Sequence, residues 1–184
     1  SPLARYYADN VAQGLIDCVS HNCKVVVVSG GIIGGMTPFL SDTMRWTSNQ
    51  AIIVWAAPET VGGSMDLTVN EEPYRLYLSN VLYANGTDGN GNWKQGCFGS
   101  NTVAGPVRRI VSAGTYSDGT SYTAGMIGGI AALVWDRFPA FSPSQIVRRI
   151  INTATTVGPI QRVNSVAALT YDPPMKVIEP SNDL

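Results

Sequence analysis

The chain has 184 residues, of which 45% are hydrophobic, and a formal net charge of -1 at pH 7. Such a chain can bury the core of one domain, and its charge indicates no surface for nucleic acid or anionic lipid. The longest apolar run, residues 127–135, is too short to span a membrane. We therefore expect a single globular domain with no nucleic-acid partner and no membrane span.

Helices and buried strands alternate along the first part of the chain. Apolar residues recur every four positions in 5–20, which predicts an amphipathic helix, and Val25–Val28 predicts a strand buried on both faces. Thr37 before Pro38 predicts the N-cap and first residue of a second helix. Residues 51–57 again read as a buried strand. This alternation is typical of an α/β fold with a mostly parallel sheet.

The middle of the chain contains further strand and turn signals. Residues 80–86 predict a third strand, and 88–91 predict a hairpin turn. A calcium loop at 88–91 is disfavoured because Gly99 stands where its glutamate belongs. Residues 103–111 predict a strand, a turn and a short second strand. No metal-ligand cluster and no cofactor motif is present, so we expect neither.

Gly119-Thr120-Ser121 opens an apolar run, 125–134, that predicts a buried helix. A helix N-terminus presents unpaired N–H groups and a partial positive charge, so a serine there can act as a nucleophile beside an anion site. Ser142 and Gln145 form a capping box that predicts one last helix.

The cysteines and one sequon favour secretion or the secretory pathway. Cys18 and Cys23 flank a predicted helix end and could form a local disulfide, leaving Cys97 free or bonded to another chain. Three buried thiols in a reducing compartment are the alternative. Asn85 begins an N-glycosylation sequon.

From about residue 5 to about residue 157, the chain resembles the C-terminal, serine-bearing half of a subtilisin-like serine protease, a subtilase. The resemblance rests on these pieces in the family's order: 25–31, 52–59, 80–91, 103–106, Asp118-Gly119-Thr120-Ser121, Phe138-Pro139, Ser142-Pro143 and Thr153-Ala154. It implies a three-layer α/β fold whose N-terminal strands are missing from this chain. Residues 1–170 would form the subtilase-like segment, and 171–184 a C-terminal extension.

The resemblance also implies a peptide-cleaving site. Ser121 matches the nucleophile, and Glu59 matches the oxyanion-hole position, where the family normally has asparagine. The implied substrate-binding residues are Ser29, Gly30, Gly31, Gly119 and Thr120. A glycine at position 30 would leave that wall of the groove open and shallow.

Three departures from the family pattern bear on activity. The family's aspartate and histidine precede the aligned region, and the only histidine here, His21, falls at a helix end remote from Ser121. A carboxylate at Glu59 would repel the developing oxyanion. Gly125 replaces a proline after the nucleophile, which would loosen the first turn of the helix.

Two hypotheses follow. In the first, this is the nucleophile chain of a processed serine endopeptidase, consistent with a start at Ser1 rather than Met. It would be inactive alone, and an N-terminal partner fragment would supply Asp and His and cover the Val25–Val28 edge. In the second, it is a non-catalytic subtilase-like subunit, such as a binding component, secreted effector or toxin subunit.

Overall fold

The computed structural model describes residues 2–30, 36–57, 65–66, 78–87, 93–95, 97–98, 101–106, 110–112, 115–117, 119–157 and 160–170. The helices are α1 (Pro2–Ser20), α2 (Pro38–Thr47), α3 (Thr120–Arg137), α4 (Pro143–Asn152) and α5 (Ser165–Thr170). The strands are β1 (Val25–Val28), β2 (Ile52–Ala56), β3 (Met65–Asp66), β4 (Val81–Thr87), β5 (Trp93–Gln95), β6 (Cys97–Phe98), β7 (Thr102–Pro106), β8 (Ile110–Ser112), β9 (Thr115–Ser117), β10 (Thr155–Val157) and β11 (Ile160–Arg162).

The main sheet is mostly parallel, as expected. Its strand order is β1-β2-β4-β7-β11-β10, with β5 paired to β4. The neighbours from β1 to β11 run parallel, and only the β10–β11 and β4–β5 pairs are antiparallel. Among the described strands, none pairs with the outer side of β1, which is therefore a sheet edge.

Helices cover both faces of this sheet. The side of α1 and α2 receives Ile53, Trp55, Val81 and Tyr83. The side of α3, α4 and α5 receives Ile52, Val54, Leu82 and Ala84. Because successive residues of a strand point to opposite faces of the sheet, β2 and β4 contribute to an apolar core on each face. The fold is the expected three-layer α/β arrangement.

Local signals located several elements correctly. The Thr37 hydroxyl accepts a hydrogen bond from the Leu40 N–H at 3.2 Å, which confirms the predicted N-cap. The capping box of Ser142 and Gln145 is also confirmed. The expectation that α4 is the last element is wrong, because β10, β11 and α5 follow it.

Helix α1 ends in a Schellman motif that brings two cysteines together. The Cys23 N–H donates to the Cys18 carbonyl and the Asn22 N–H to the Val19 carbonyl, both at 2.9 Å, with Asn22 at a φ of 60°. Both thiols are free in this structure, so the possible local disulfide is not formed. Burial, reinforced by the neighbouring Cys23 thiol, raises the pKa of Cys18. Cys97 lies in β6, and its side chain is outside the described part.

The sequon at Asn85 lies in the interior. Asn85 is only 2% exposed, and β4 is flanked by β2 and β7. The Thr87 hydroxyl is also buried and donates to the Gly105 carbonyl at 3.0 Å. Since a glycan has no room at this position in the folded chain, burial argues against the expected N-glycosylation.

The strand that follows the predicted turn supports the hairpin interpretation. β5 pairs antiparallel with β4, Gly86 opposite Gln95. The turn residues 88–91 themselves lie outside the described residues. In the described ranges, no helix combines the length and apolar character needed to cross a membrane.

Helix α3 lies very close to the sheet. A Cβ added to Gly128 would overlap Cγ2 of Val27, and one added to Gly105 would overlap Cε of Met126. Only one face of α3 is buried, since Leu133 is 59% exposed. The expectation of a wholly buried helix is therefore wrong.

We predict opposite effects of alanine at two adjacent glycines of α3. Gly129 has open space where a Cβ would project, so Gly129→Ala should raise the free energy of unfolding by about 0.5–1 kcal/mol. Gly128→Ala should lower it by about 1–3 kcal/mol through overpacking against Val27. Denaturant unfolding of both variants checks this, and equal effects would contradict the close approach of α3.

Candidate active site

Ser121 lies in the first turn of α3, directly after a backbone conformation that favours glycine. Gly119 precedes the helix with a φ of 143°, and Thr120 is the first helical residue. No side chain among the described residues caps this N-terminus. The partial positive charge of the helix end therefore lies beside the Ser121 hydroxyl.

Two reciprocal hydrogen bonds join Ser121 to Ser29. The Ser121 hydroxyl donates to the Ser29 carbonyl at 3.0 Å, and the Ser29 hydroxyl donates to the Ser121 carbonyl at 3.3 Å. Ser29 directly follows β1, so these bonds join the end of the edge strand to the start of α3. The structure thus brings together Ser29, Gly119, Thr120 and Ser121, four of the expected site residues.

Two threonines attach the same helix end to the sheet. The buried Thr120 hydroxyl donates to the carbonyl of Ala57, just after β2, at 2.7 Å. The Thr123 hydroxyl donates to the carbonyl of Pro106, the last residue of β7, at 2.7 Å. The site therefore lies at the carboxyl ends of parallel strands, where open α/β sheets bind ligands.

The space above Gly30 is not open as expected. The Tyr7 hydroxyl of α1 lies 2.7 Å from the position that a Cβ on Gly30 would take. The side of Gly30 that faces α1 is therefore occupied by a tyrosine that is 40% exposed. Sequence reasoning missed Tyr7 because its helical spacing indicated only a core-facing residue.

The only histidine in the chain is far from Ser121. The His21 ring contacts the Asp17 carbonyl through Nδ1 at 2.8 Å, at the end of α1. His21 precedes β1, whereas Ser121 is hydrogen-bonded to Ser29, the residue after β1. The four residues of β1 span roughly 13 Å between these two ends of the strand. The expectation that His21 is no base for Ser121 agrees with this placement. A serine without a base is a weak nucleophile.

The other expected site features are partly outside the described residues. Glu59 and Gly31 lie outside the described residues, so the oxyanion-hole role of Glu59 and the substrate-binding role of Gly31 stay predictions. Gly125 lies in the second turn of α3, with open space around it, rather than in the first turn. Among the described residues, no three His, Cys, Asp or Glu side chains cluster as a metal site would need.

Comparison with known proteins decides the family. Residues 4–168 match the peptidase S8 group, the subtilase family. The chain belongs to the subtilase family. The resemblance inferred from the motif order is thereby confirmed, and the family is one of serine proteases.

Two curated relatives and one solved structure illustrate the similarity. Mycosin-1 of Mycobacterium tuberculosis is 28% identical over 86% of this chain. A thermostable alkaline protease of Halalkalibacterium halodurans is 27% identical over 81% of it. The structure of the MycP3 protease from the type VII (ESX-3) secretion system aligns with 90% of the present chain, with a TM-score of 0.73 and 22% sequence identity. This similarity supports the fold.

The chain is shorter than each of these proteins. It spans 39% of Mycosin-1, 41% of the alkaline protease and 58% of the MycP3 chain. Their complete activities therefore do not transfer to this chain by similarity alone.

We predict that the Thr120 hydroxyl stabilises the site. Thr120→Val keeps the side-chain volume but leaves the buried Ala57 carbonyl without this donor, so the free energy of unfolding should fall by about 1–3 kcal/mol. Thr120→Ser, the matched control, keeps the hydroxyl and should cost about 0.8 kcal/mol for one lost methyl group. Denaturant unfolding measures both, and a Val variant as stable as the wild type would contradict the prediction.

Proposed function

We propose that this chain is the nucleophile-bearing segment of a subtilisin-like serine endopeptidase. The observation that carries the proposal is the placement of Ser121 at the uncapped start of α3, hydrogen-bonded to Ser29 at the end of β1. Membership of the subtilase family supports the same reaction class. The substrate would be a peptide or protein chain.

In this reaction the Ser121 oxygen attacks a peptide carbonyl carbon, and the amine leaves as an acyl-enzyme forms. Negative charge then develops on the former carbonyl oxygen. The positive end of the α3 dipole would stabilise that charge. Water hydrolyses the acyl-enzyme and restores Ser121.

Proton transfer requires a base and an aspartate, which the described residues do not supply beside Ser121. We propose that the base and its aspartate come from an N-terminal fragment of the same precursor or from another chain. Among the described strands none pairs with the outer side of β1, and this supports the proposal because Val27 is 38% exposed and an unpaired apolar edge invites another strand. The chain also aligns with only 39% of Mycosin-1, so most of that relative's length has no counterpart in this chain.

A fluorophosphonate probe tests the nucleophile. In the protein at its natural length, with any partner chain present, the probe should label Ser121, and Ser121→Ala should abolish labelling. Residues 1–184 alone should label at least 100-fold more slowly, because loss of the base weakens the nucleophile by a factor on the order of 10²–10⁴. Mass spectrometry of the labelled peptide identifies the site.

Each result of this test has a distinct meaning. Ser29→Ala, a variant beside the nucleophile, should still be labelled, which separates loss of the attacking oxygen from disturbance of its surroundings. Equal labelling of 1–184 and the complete protein would overturn the requirement for a partner. A complete, folded protein whose Ser121 never labels would overturn the enzyme proposal.

The second candidate function is a non-catalytic subtilase-like subunit. The observation that favours it is the position of the single histidine, which precedes β1, whereas Ser121 contacts the residue that follows β1. The same site would then bind a peptide without cleaving it. Peptide binding without labelling of Ser121 would select this function.

We further propose export from the cytoplasm, as a secreted or secretory-pathway protein. The adjacent Cys18 and Cys23 thiols support this, because the Schellman motif holds both at one helix end. In an oxidising compartment they would form a disulfide. The MycP3 relative, described as a protease of a secretion system, is consistent with such a location.

Thiol oxidation tests the pair. In a Cys97→Ser background, oxidised glutathione should remove two hydrogens from the chain and link Cys18 to Cys23, releasing two glutathione thiols. The exposed Cys23 would react first and Cys18 would displace the glutathione. In the matched Cys18→Ser variant, the glutathione adduct should persist on Cys23. A persistent adduct with Cys18 present would contradict the pairing.

A further inference from the structure

A buried tryptophan bonds the turn that receives the Ser121 hydroxyl. Trp55 of β2 is 0% exposed, and its indole N–H donates to the Gly30 carbonyl at 2.8 Å. Trp55 is the register partner of Val28, the last residue of β1. Its ring lies on the α1 and α2 side of the sheet, where it belongs to the core formed with those helices.

The Trp55 bond lies one peptide group away from the nucleophile contact. The Ser29 carbonyl, which accepts the Ser121 hydroxyl, belongs to the peptide between Ser29 and Gly30. The Gly30 carbonyl, which Trp55 holds, belongs to the next peptide. The two peptide planes share the Gly30 α-carbon, so the dihedral angles of Gly30 set their relative orientation.

Glycine cannot define that orientation by itself. It has the widest choice of backbone angles, so its conformation here depends on surrounding contacts. The described contacts are the hydrogen bond from the Trp55 N–H to the Gly30 carbonyl and the Tyr7 hydroxyl, which lies where a Cβ on Gly30 would project. Of these, Trp55 is buried and fixed by packing, whereas Tyr7 is partly exposed.

We propose that Trp55 is a positioning residue for Ser121. It acts through the Gly30 peptide, which orients the Ser29 carbonyl and, with it, the reciprocal Ser29–Ser121 hydrogen bonds. This inference rests on the proposed function of Ser121 as nucleophile. Trp55 touches neither the substrate nor the reacting oxygen, so it differs from a catalytic residue.

The test compares Trp55→Phe with Trp46→Phe in the protein at its natural length. Phenylalanine keeps an aromatic ring at position 55 but removes the donor. Trp46, on α2, is 48% exposed and takes no part in the contacts described around Ser121, so it serves as the matched control. Replacement of Trp55 by benzothienylalanine keeps the bicyclic shape without the N–H and tests the donor even if Trp55→Phe fails to fold.

The measurements are the labelling rate of Ser121 by a fluorophosphonate and the kcat and KM for a peptide substrate. Both Trp55 variants should label about three- to tenfold more slowly, as expected from loss of one hydrogen bond. The loss should appear in kcat, with KM unchanged, and Trp46→Phe should match the wild type. Wild-type or faster labelling in the benzothienylalanine variant would overturn the proposal.

Backbone hydrogen exchange separates this inference from the proposed function. The amides of residues 25–30 should exchange faster in both Trp55 variants and remain unchanged in Trp46→Phe. If the wild-type protein never labels, the proposed function fails, and positioning of the turn is then judged from exchange alone. Unchanged exchange in both Trp55 variants would show that the indole only fills the core.

Discussion

The close approach of α3 to the sheet is the constraint on which the rest of the structure depends. Gly128 of α3 packs against Val27 of β1, and Gly105 of β7 packs against Met126 of α3. Because neither glycine has a side chain, the helix and the strands can approach closely. The start of α3 can then bond to residues at the ends of β1, β2 and β7. A wider separation would break these short hydrogen bonds, and Ser121 would lose its defined place.

This arrangement places the groups of the candidate site unevenly along the chain. Ser121, the positive end of the α3 dipole and the turn that receives the Ser121 hydroxyl all lie within the described residues. The only histidine is at the opposite end of β1. Family membership therefore accounts for the fold and for the serine at the start of α3.

The sequence predicted those features that local chemistry determines. Four consecutive valines, a Thr-Pro cap and a capping box located β1, α2 and α4, and Gly-Thr-Ser located the start of α3. It did not predict the contacts of Trp55 and Tyr7 with Gly30, because these join residues far apart in the chain. Burial of Asn85 was equally hidden, since a sequon contains no information on its strand neighbours. The short strands β10 and β11 lack the length of apolar pattern that would have indicated them.

The strand order has a consequence for how the chain folds during synthesis. From β1 through β2 and β4 to β7, position in the sheet follows position in the chain. Each strand that leaves the ribosome can therefore join an edge that has already formed, without opening an earlier pair. Ser121 comes after these four strands in the chain. Ser121 consequently takes its place late, on a scaffold whose central strand pairs have already formed.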